Sequence, residues 1–172
     1  SKKLPQTGRC VLNDCLTPVI NDVLNADAIV LGSPIYFYTE SASFRAFMER
    51  LLFPLTLYSK TERSLFKGIK PTGLIYTMNI TEEETHERKP PFPAPFSLDI
   101  VTKTEYFFKR AFGNCSILLC TDTMQTKNYD AYHMEMFNAA EKIERHEKVF
   151  PDDCRKAFLL GQKLVETVAQ SN

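Results

Sequence analysis

The side chains able to do chemistry in this chain are few, and their spacing says more than their number. Five cysteines, Cys10, Cys15, Cys115, Cys120 and Cys154, include no Cys-x-x-Cys pair. An odd count without that spacing argues against a disulfide framework and against a self-contained zinc site. Cys115 and Cys120 fall on one apolar run, where an odd separation turns side chains to opposite faces of a strand, so the two cannot grip one metal together. Buried free thiols are the simpler expectation. His86, His133 and His146 are scattered and make no His-Glu-x-x-His pair, so they read as surface or packing residues. What remains is aromatic: Ser33-Pro34-Ile35-Tyr36-Phe37-Tyr38-Thr39 places three adjacent rings in a connecting segment. Exposed rings there point to a partner surface or a planar ligand. The plainer alternative is that they cover a sheet edge or fill a dimer interface. Thr77-Met78-Asn79 offers small polar groups able to hydrogen-bond the edge of a heterocycle, although alone it reads as an ordinary strand exit.

The elements that must position these residues are legible from periodicity. Leu16, Val19, Ile20, Val23 and Leu24 form one helical stripe, with Thr17-Pro18 as cap and first-turn proline and Asn25 as stop. Ala28 to Gly32 is a short apolar run expected to be a strand buried on both faces. A second helix begins near Ser41, with Phe44, Phe47, Met48, Leu51 and Leu52 inward, and Pro54 ends it. Gly73 to Ile80 reads as a second strand. Residues 81–97, charged and then proline-rich, are too irregular for an element; they read as a lid or subunit contact bearing Phe92 and Phe96, or as a solvated loop. A third helix is capped by Ser97 and stopped by Gly113, with Ile100, Val101, Thr104, Phe107, Phe108 and Ala111 on its inner stripe. Cys115 to Thr121 is a third buried strand, and a polar segment from Asp122 to Phe150 is helical in part. The last helix is expected to start at Pro151, with Cys154, Ala157, Phe158, Gly161, Leu164, Val165 and Val168 inward. Gly161 within that stripe implies a close approach to the sheet. Helices alternating with strands specify an α/β fold: a doubly wound parallel sheet in three layers, α-β-α.

In open sheets of this kind, ligands bind beyond the carboxyl ends of the strands. The aromatic segment leaves the first strand there, and Thr77-Met78-Asn79 leaves the second. The bulk composition excludes several other classes. Lys+Arg and Asp+Glu both total 21, so no basic excess suggests nucleic acid or an anionic membrane. At 172 residues and 44% hydrophobic, the chain suits one globular domain spanning 1–172. Its apolar runs are too short to span a bilayer, and Ser-Lys-Lys-Leu-Pro is no leader, so a cytoplasmic protein is expected.

The string Ala26-Asp27-Ala28-Ile29-Val30-Leu31-Gly32-Ser33-Pro34-Ile35-Tyr36-Phe37, followed by Ser41-Ala42-Ser43-Phe44-Arg45-Ala46-Phe47-Met48-Glu49-Arg50, resembles the NAD(P)H-dependent FMN reductase-like flavoproteins. Within these it is most similar to the iron–sulfur flavoprotein and multimeric-flavodoxin branch. Gly8-Arg9-Cys10-Val11, Ile75 to Asn79, Arg145-His146-Glu147, Phe150-Pro151-Asp152 and the Leu160-Gly161 helix extend the likeness over nearly the whole chain. The resemblance implies a flavodoxin-like fold of strand order 2-1-3-4-5 that binds FMN. It implies that Ser33, Pro34, Ile35, Tyr36, Phe37 and Thr39 meet the isoalloxazine, with Thr77, Met78 and Asn79 on its other side. No catalytic acid or base is then required, because the flavin carries the redox chemistry.

The implied activity is reduction of a quinone, flavin or other acceptor by NADH or NADPH. The alternatives are a flavodoxin-type carrier that docks to redox proteins and has no nicotinamide site of its own, and a non-enzymatic assembly domain. A homodimer or homotetramer is the implied assembly. Two departures stand out. The family's opening strand, phosphate loop and second strand have no counterpart here, so further N-terminal residues are expected in the natural protein. Of the closely spaced cysteines of the iron–sulfur branch only Cys10 is present, and no four-thiolate cluster can be assembled from this chain alone. Tyr38-Thr39 stands where relatives place small residues, which implies a more closed pocket.

Overall fold

The computed structural model describes residues 7–85 and 99–171. Helices α1 (Leu16–Asn25), α2 (Ala42–Leu52), α3 (Asp99–Phe112) and α4 (Ala139–Ser171) alternate with strands β1 (Ile29–Tyr36), β2 (Thr39–Glu40), β3 (Thr72–Thr77) and β4 (Ser116–Cys120). The spatial order is β2-β1-β3-β4. β1, β3 and β4 run parallel, as the alternation requires, and their register brings Pro34, Thr77 and Cys120 level at one end of the sheet. All three strands therefore discharge their chains at a common carboxyl rim. The pairing continues past it: the Met78 amide donates to Cys120 O at 3.0 Å, and the Thr123 amide donates to Met78 O at 2.9 Å.

Alternation along β3 sorts the layers. Thr72, Leu74 and Tyr76 face the side packed by α1, α2 and α3, where Ile20, Met48, Leu51, Val101, Phe108 and Phe112 complete the main core. Gly73 faces α4; a Cβ there would lie 3.2 Å from Leu160 Cδ2 and 3.3 Å from Leu164 Cδ1. The close approach expected at Gly161 is thus made by Gly73, and Gly161 itself looks onto open space. Cys115 belongs to the α1–α3 core, whereas the charges acting on Cys120 are those of α4, namely Asp153, Arg145 and Lys156. Both thiols are buried and point to opposite faces as their odd spacing demands, while Cys15 and Cys154 are exposed and Cys10 lies between.

Ser41 caps α2, its Oγ accepting from the Phe44 amide at 3.3 Å. α1 begins at Leu16 with Cys15 at its cap and no side-chain capping bond, so Thr17 and Pro18 lie inside the first turn. The Ser97 cap expected for α3 lies outside the described residues, as do His86, Phe92 and Phe96. On α3 the ring of Phe107 is exposed and Phe112 takes the buried place, because the inward stripe follows Val101, Thr104, Phe108 and Ala111.

Two boundaries differ more substantially. α4 starts twelve residues before Pro151, which sits inside it. A proline costs a helix one interior hydrogen bond and about 3 kcal/mol, a deficit offset here by anchorage on both sides. Upstream, Lys142 and Arg145 hold the rim; downstream, Leu160 and Leu164 seal the sheet. The buried face of α4 runs through Asp153, Leu160 and Leu164, leaving Cys154, Phe158 and Val165 exposed. β1 is longer than Ala28–Gly32 and is not buried on both faces: Val30 is 52% exposed because α4 packs chiefly on β3 and β4. The strand runs on to Tyr36 and turns back through Phe37 and Tyr38 into β2, with Tyr36 paired to Thr39 and Ile35 to Glu40.

Candidate functional site

The aromatic segment is therefore a hairpin. Phe37 and Tyr38 take φ of 49° and 64°, the left-handed pair that a two-residue type I′ turn demands. Such turns favour Asn-Gly; bulky rings at positive φ are outliers that persist only where the surroundings hold them, at a cost on the order of 1–3 kcal/mol each.

The holding group lies beneath. Glu40, 2% exposed, accepts from Thr104 Oγ1 at 2.5 Å and from the Tyr76 hydroxyl at 3.4 Å through Oε1. Its Oε2 accepts from Thr39 Oγ1 at 3.3 Å and stands 3.8 Å from Arg45 Nη1. One buried carboxylate thus ties the returning strand to α2, β3 and α3. Burial, reinforced by the Glu40 charge, pushes the Tyr76 hydroxyl well above the ordinary tyrosine range, so it remains a donor. Ser33 pins the other side: its Oγ donates to Pro34 O at 2.9 Å and accepts the Ser41 amide at 3.0 Å.

Against this hairpin the rim encloses a cavity of about 620 Å³, within the range of small-molecule sites. Ile35, Phe37 and Tyr38 form one wall, and Met78, Asn79 and Ile80, leaving β3, form the floor. Thr81 and Glu84 contribute from a short turn in which each caps the other: the Thr81 amide donates to Glu84 Oε2 at 2.8 Å, and the Glu84 amide donates to Thr81 Oγ1 at 3.2 Å. The far wall comes from Asp122, Phe137, Asn138 and Lys142. Of the nine residues expected at the site, Ile35, Phe37, Met78 and Asn79 line the cavity. Ser33, Pro34, Tyr36, Thr39 and Thr77 do not; Ser33 is buried as the pin just described, and Tyr36 and Thr77 face solvent.

The electrostatics converge on Lys142. Its ammonium donates to Asn79 O at 3.0 Å, to Asn79 Oδ1 at 2.8 Å and to Asp122 Oδ1, and it stands 5.9 Å from the Phe137 ring. Three protons thus meet three acceptors, which is what a nearly buried ammonium needs. Arg145 extends the network, with Nε 3.8 Å from Asp122 and Nη2 3.3 Å from the buried Asp153. Asp122 has φ of 52°, a third left-handed residue at the same rim. Asn79 Oδ1 is also engaged by Gln125 Nε2, which leaves the Asn79 NH2 as the donor without a partner among the described residues. Desolvation and the Glu84 charge push Tyr38 above its usual pKa, keeping that phenol protonated.

Lys142, Asp122 and Phe137 were not foreseen from sequence, because they lie in the polar stretch before Pro151. A signal was nonetheless present: Asn138, Lys142 and Arg145 follow helical spacing into Asp153 and Leu160. Among the described residues no cluster of His, Cys, Asp or Glu is able to hold a metal ion, and no helix is long and apolar enough to cross a membrane. His146 stacks on Phe150 at 4.8 Å, and His133 is fully exposed beside Glu135.

A parallel sheet with helices on both faces and a cavity at its carboxyl rim is the architecture of an open, doubly wound α/β domain. A family model described as flavodoxin-like fold matches residues 13–116, and the chain belongs to that family. No curated protein matches it. Among solved structures it is similar to Smu.1420 from Streptococcus mutans UA159, at 16% identity over 80% of this chain and 65% of that one, with a TM-score of 0.49. It is similar to an azoreductase from Bacillus anthracis str. Sterne, at 16% identity over 90% of this chain and 60% of that one, with a TM-score of 0.44. A third is an NADPH-quinone reductase from P. pentosaceus, at 16% identity over 69% of this chain and 68% of that one, with a TM-score of 0.46. The chain spans less than two thirds of the length of the first two, and the family match alone carries the assignment of the fold.

Proposed function

We propose that the rim cavity holds the isoalloxazine of FMN and that the protein is an oxidoreductase, taking reducing equivalents from NADH or NADPH and passing them to a quinone, free flavin or other acceptor. The observation that carries this reading is the strained aromatic hairpin standing over a floor of Met78, Asn79 and Ile80 at the carboxyl rim. Family membership makes a flavin the expected occupant, and the donor set suits one. Tyr38 offers a ring, the Asn79 amide offers a donor without a partner among the described residues, and Lys142 sets an ammonium among the carboxylates of Glu84, Asp122 and Glu141. The fit is to the ring system; among the described residues no glycine-rich loop stands ready for the phosphate. Bound flavin supplies the electron chemistry, while the chain positions it and sets its potential through nearby charge. In that role Lys142, fixed by Asp122 and Asn79, holds its ammonium at the cavity wall, and Met78 and Ile35 present apolar surface that excludes water.

A second reading keeps the flavin and removes the nicotinamide: Phe37, 99% exposed at the hairpin tip, suits docking to another redox protein. Titrating the purified protein into FMN while following flavin fluorescence tests the common part. Saturable quenching is expected, weakened by Asn79→Ala; unquenched flavin at micromolar protein sinks both readings. Anaerobic addition of NADH or NADPH then separates them, since rapid bleaching belongs to the reductase and persistence of the oxidised spectrum to the carrier.

A further inference from the structure

A second cavity, of about 760 Å³, lies at the opposite end of the sheet. It opens between the segment 62–68 and the last turns of α3, beside the bridge between Lys70 and Gly113 that precedes β3 and β4. The six residues of β3 separate this end from the rim by roughly 20 Å at about 3.3 Å per residue, and the two cavities share no lining residue.

Its walls are cationic. Arg63, Lys67, Lys109 and Arg110 line it together with a single carboxylate, Glu62, in a chain whose formal charge is zero. Lys67 is paired with Glu62 at 2.7 Å, a solvent-exposed pair that a stronger anion displaces at little cost, and Lys109 with the partly buried Glu105 at 2.7 Å. Among the described residues neither arginine has a carboxylate partner within salt-bridge distance. Arg110 Nη2 donates to the uncharged Leu57 carbonyl at 2.8 Å, and Arg63 has no anionic partner among the described residues. The dipole of α3 accounts for Lys109 and Arg110 at its C-terminal end. It does not account for Arg63, which a separate segment brings to the same space. The half-exposed ring of Tyr106 stands at the same cavity, with Phe66 inside it packed edge-on against Phe112 at 5.1 Å.

Two guanidinium forks match phosphate oxygens bidentately, and the two ammoniums add point charges suited to a second phosphate. An exposed phenol ring beside them suits a stacked base. We propose that this cavity is a binding site for a nucleotide carrying a pyrophosphate group, separate from the rim cavity and independent of what the rim holds.

Calorimetric titration of the full chain at low salt with inorganic pyrophosphate, ADP and adenosine tests it. Pyrophosphate is expected to bind, with an affinity that falls as salt is raised. ADP should bind more tightly, and adenosine not measurably. Arg63→Ala removes one guanidinium and should weaken both anions by about tenfold or more; Arg63 is exposed, and an unchanged urea midpoint would show the variant folded. Arg63→Lys should recover part of the loss. Absence of heat from both anions at millimolar concentration overturns the site, as does binding indifferent to Arg63→Ala. Pyrophosphate binding as tightly as ADP overturns the nucleotide assignment.

Discussion

Replacing Glu40 with alanine removes the acceptor on which two buried hydroxyls depend. Tyr76 is 0% and Thr104 2% exposed, so neither can turn to solvent when Oε1 disappears. An unsatisfied buried donor costs about 1–3 kcal/mol, and the Thr104 bond, at 2.5 Å to a charged oxygen, belongs at the upper end. Thr104 Oγ1 stays within hydrogen-bonding reach of the Tyr76 hydroxyl, so the Tyr76 loss falls at the lower end and the two together amount to about 4 kcal/mol. Glu40→Gln keeps one acceptor oxygen for Thr104 and Tyr76 but puts an amide NH2 where Oε2 accepts from Thr39 and faces Arg45, and should cost about 1 kcal/mol. Urea unfolding followed by far-ultraviolet circular dichroism reads the difference directly. With a slope of about 2 kcal/mol per molar urea, alanine should lower the midpoint by about 2 M and glutamine by about 0.5 M. The hairpin also loses its anchor, so Glu40→Ala should weaken FMN quenching beyond Glu40→Gln. Equal midpoints for the two variants would refute the idea that satisfied hydroxyls, and not the charge as such, hold the strained turn.

Gly73→Ala forces a Cβ to 3.2–3.3 Å from Leu160 and Leu164 and should cost about 1–2 kcal/mol. Gly161→Ala meets nothing and should stabilise by about 0.5–1 kcal/mol, and thermal melting of the two variants should move in opposite directions. Burial first, and the Glu105 charge second, push the Cys115 thiol up to about 12. A raised thiol leaves stability intact below the unfolded value near pH 9 and erodes it as pH climbs toward 12, by about 1.4 kcal/mol per pH unit. Cys115→Ala should flatten the fall of the urea midpoint between pH 9 and 11, and parallel slopes would count against the assignment.

What sequence could reveal tracked how local each determinant is. α2 was readable because Ser41, the Phe44–Met48–Leu51 stripe and Pro54 are all local signals, and the structure shows the cap bond itself. β3 and β4 were readable as apolar runs, since both are buried by helices. The hairpin was not, because Phe37 and Tyr38 carry none of the Gly or Asn chemistry that marks a type I′ turn; the conformation is imposed by Glu40 and Ser33, whose partners lie up to 64 residues away. The start of α4 was hidden for the opposite reason. Pro151 is a strong local signal for a helix beginning, and tertiary anchorage overrides it. The first half of the binding wall followed from the strand exits, and the second half was lost with the misplaced helix start, which removed Lys142 and Phe137 from view.

The length of α4 has a mechanical consequence. Thirty-three residues make a rod of roughly 50 Å, clamped about two thirds of the way along to Gly73 and reaching, at the rim, the ammonium that faces the cavity. A small rotation about the clamp is magnified at the tip, and Pro151, lacking one rung of the helical ladder between the two, is where the rod bends most easily. Loosening Leu160 or Leu164, far from any ligand, would thus be felt as a displaced charge beside Asn79.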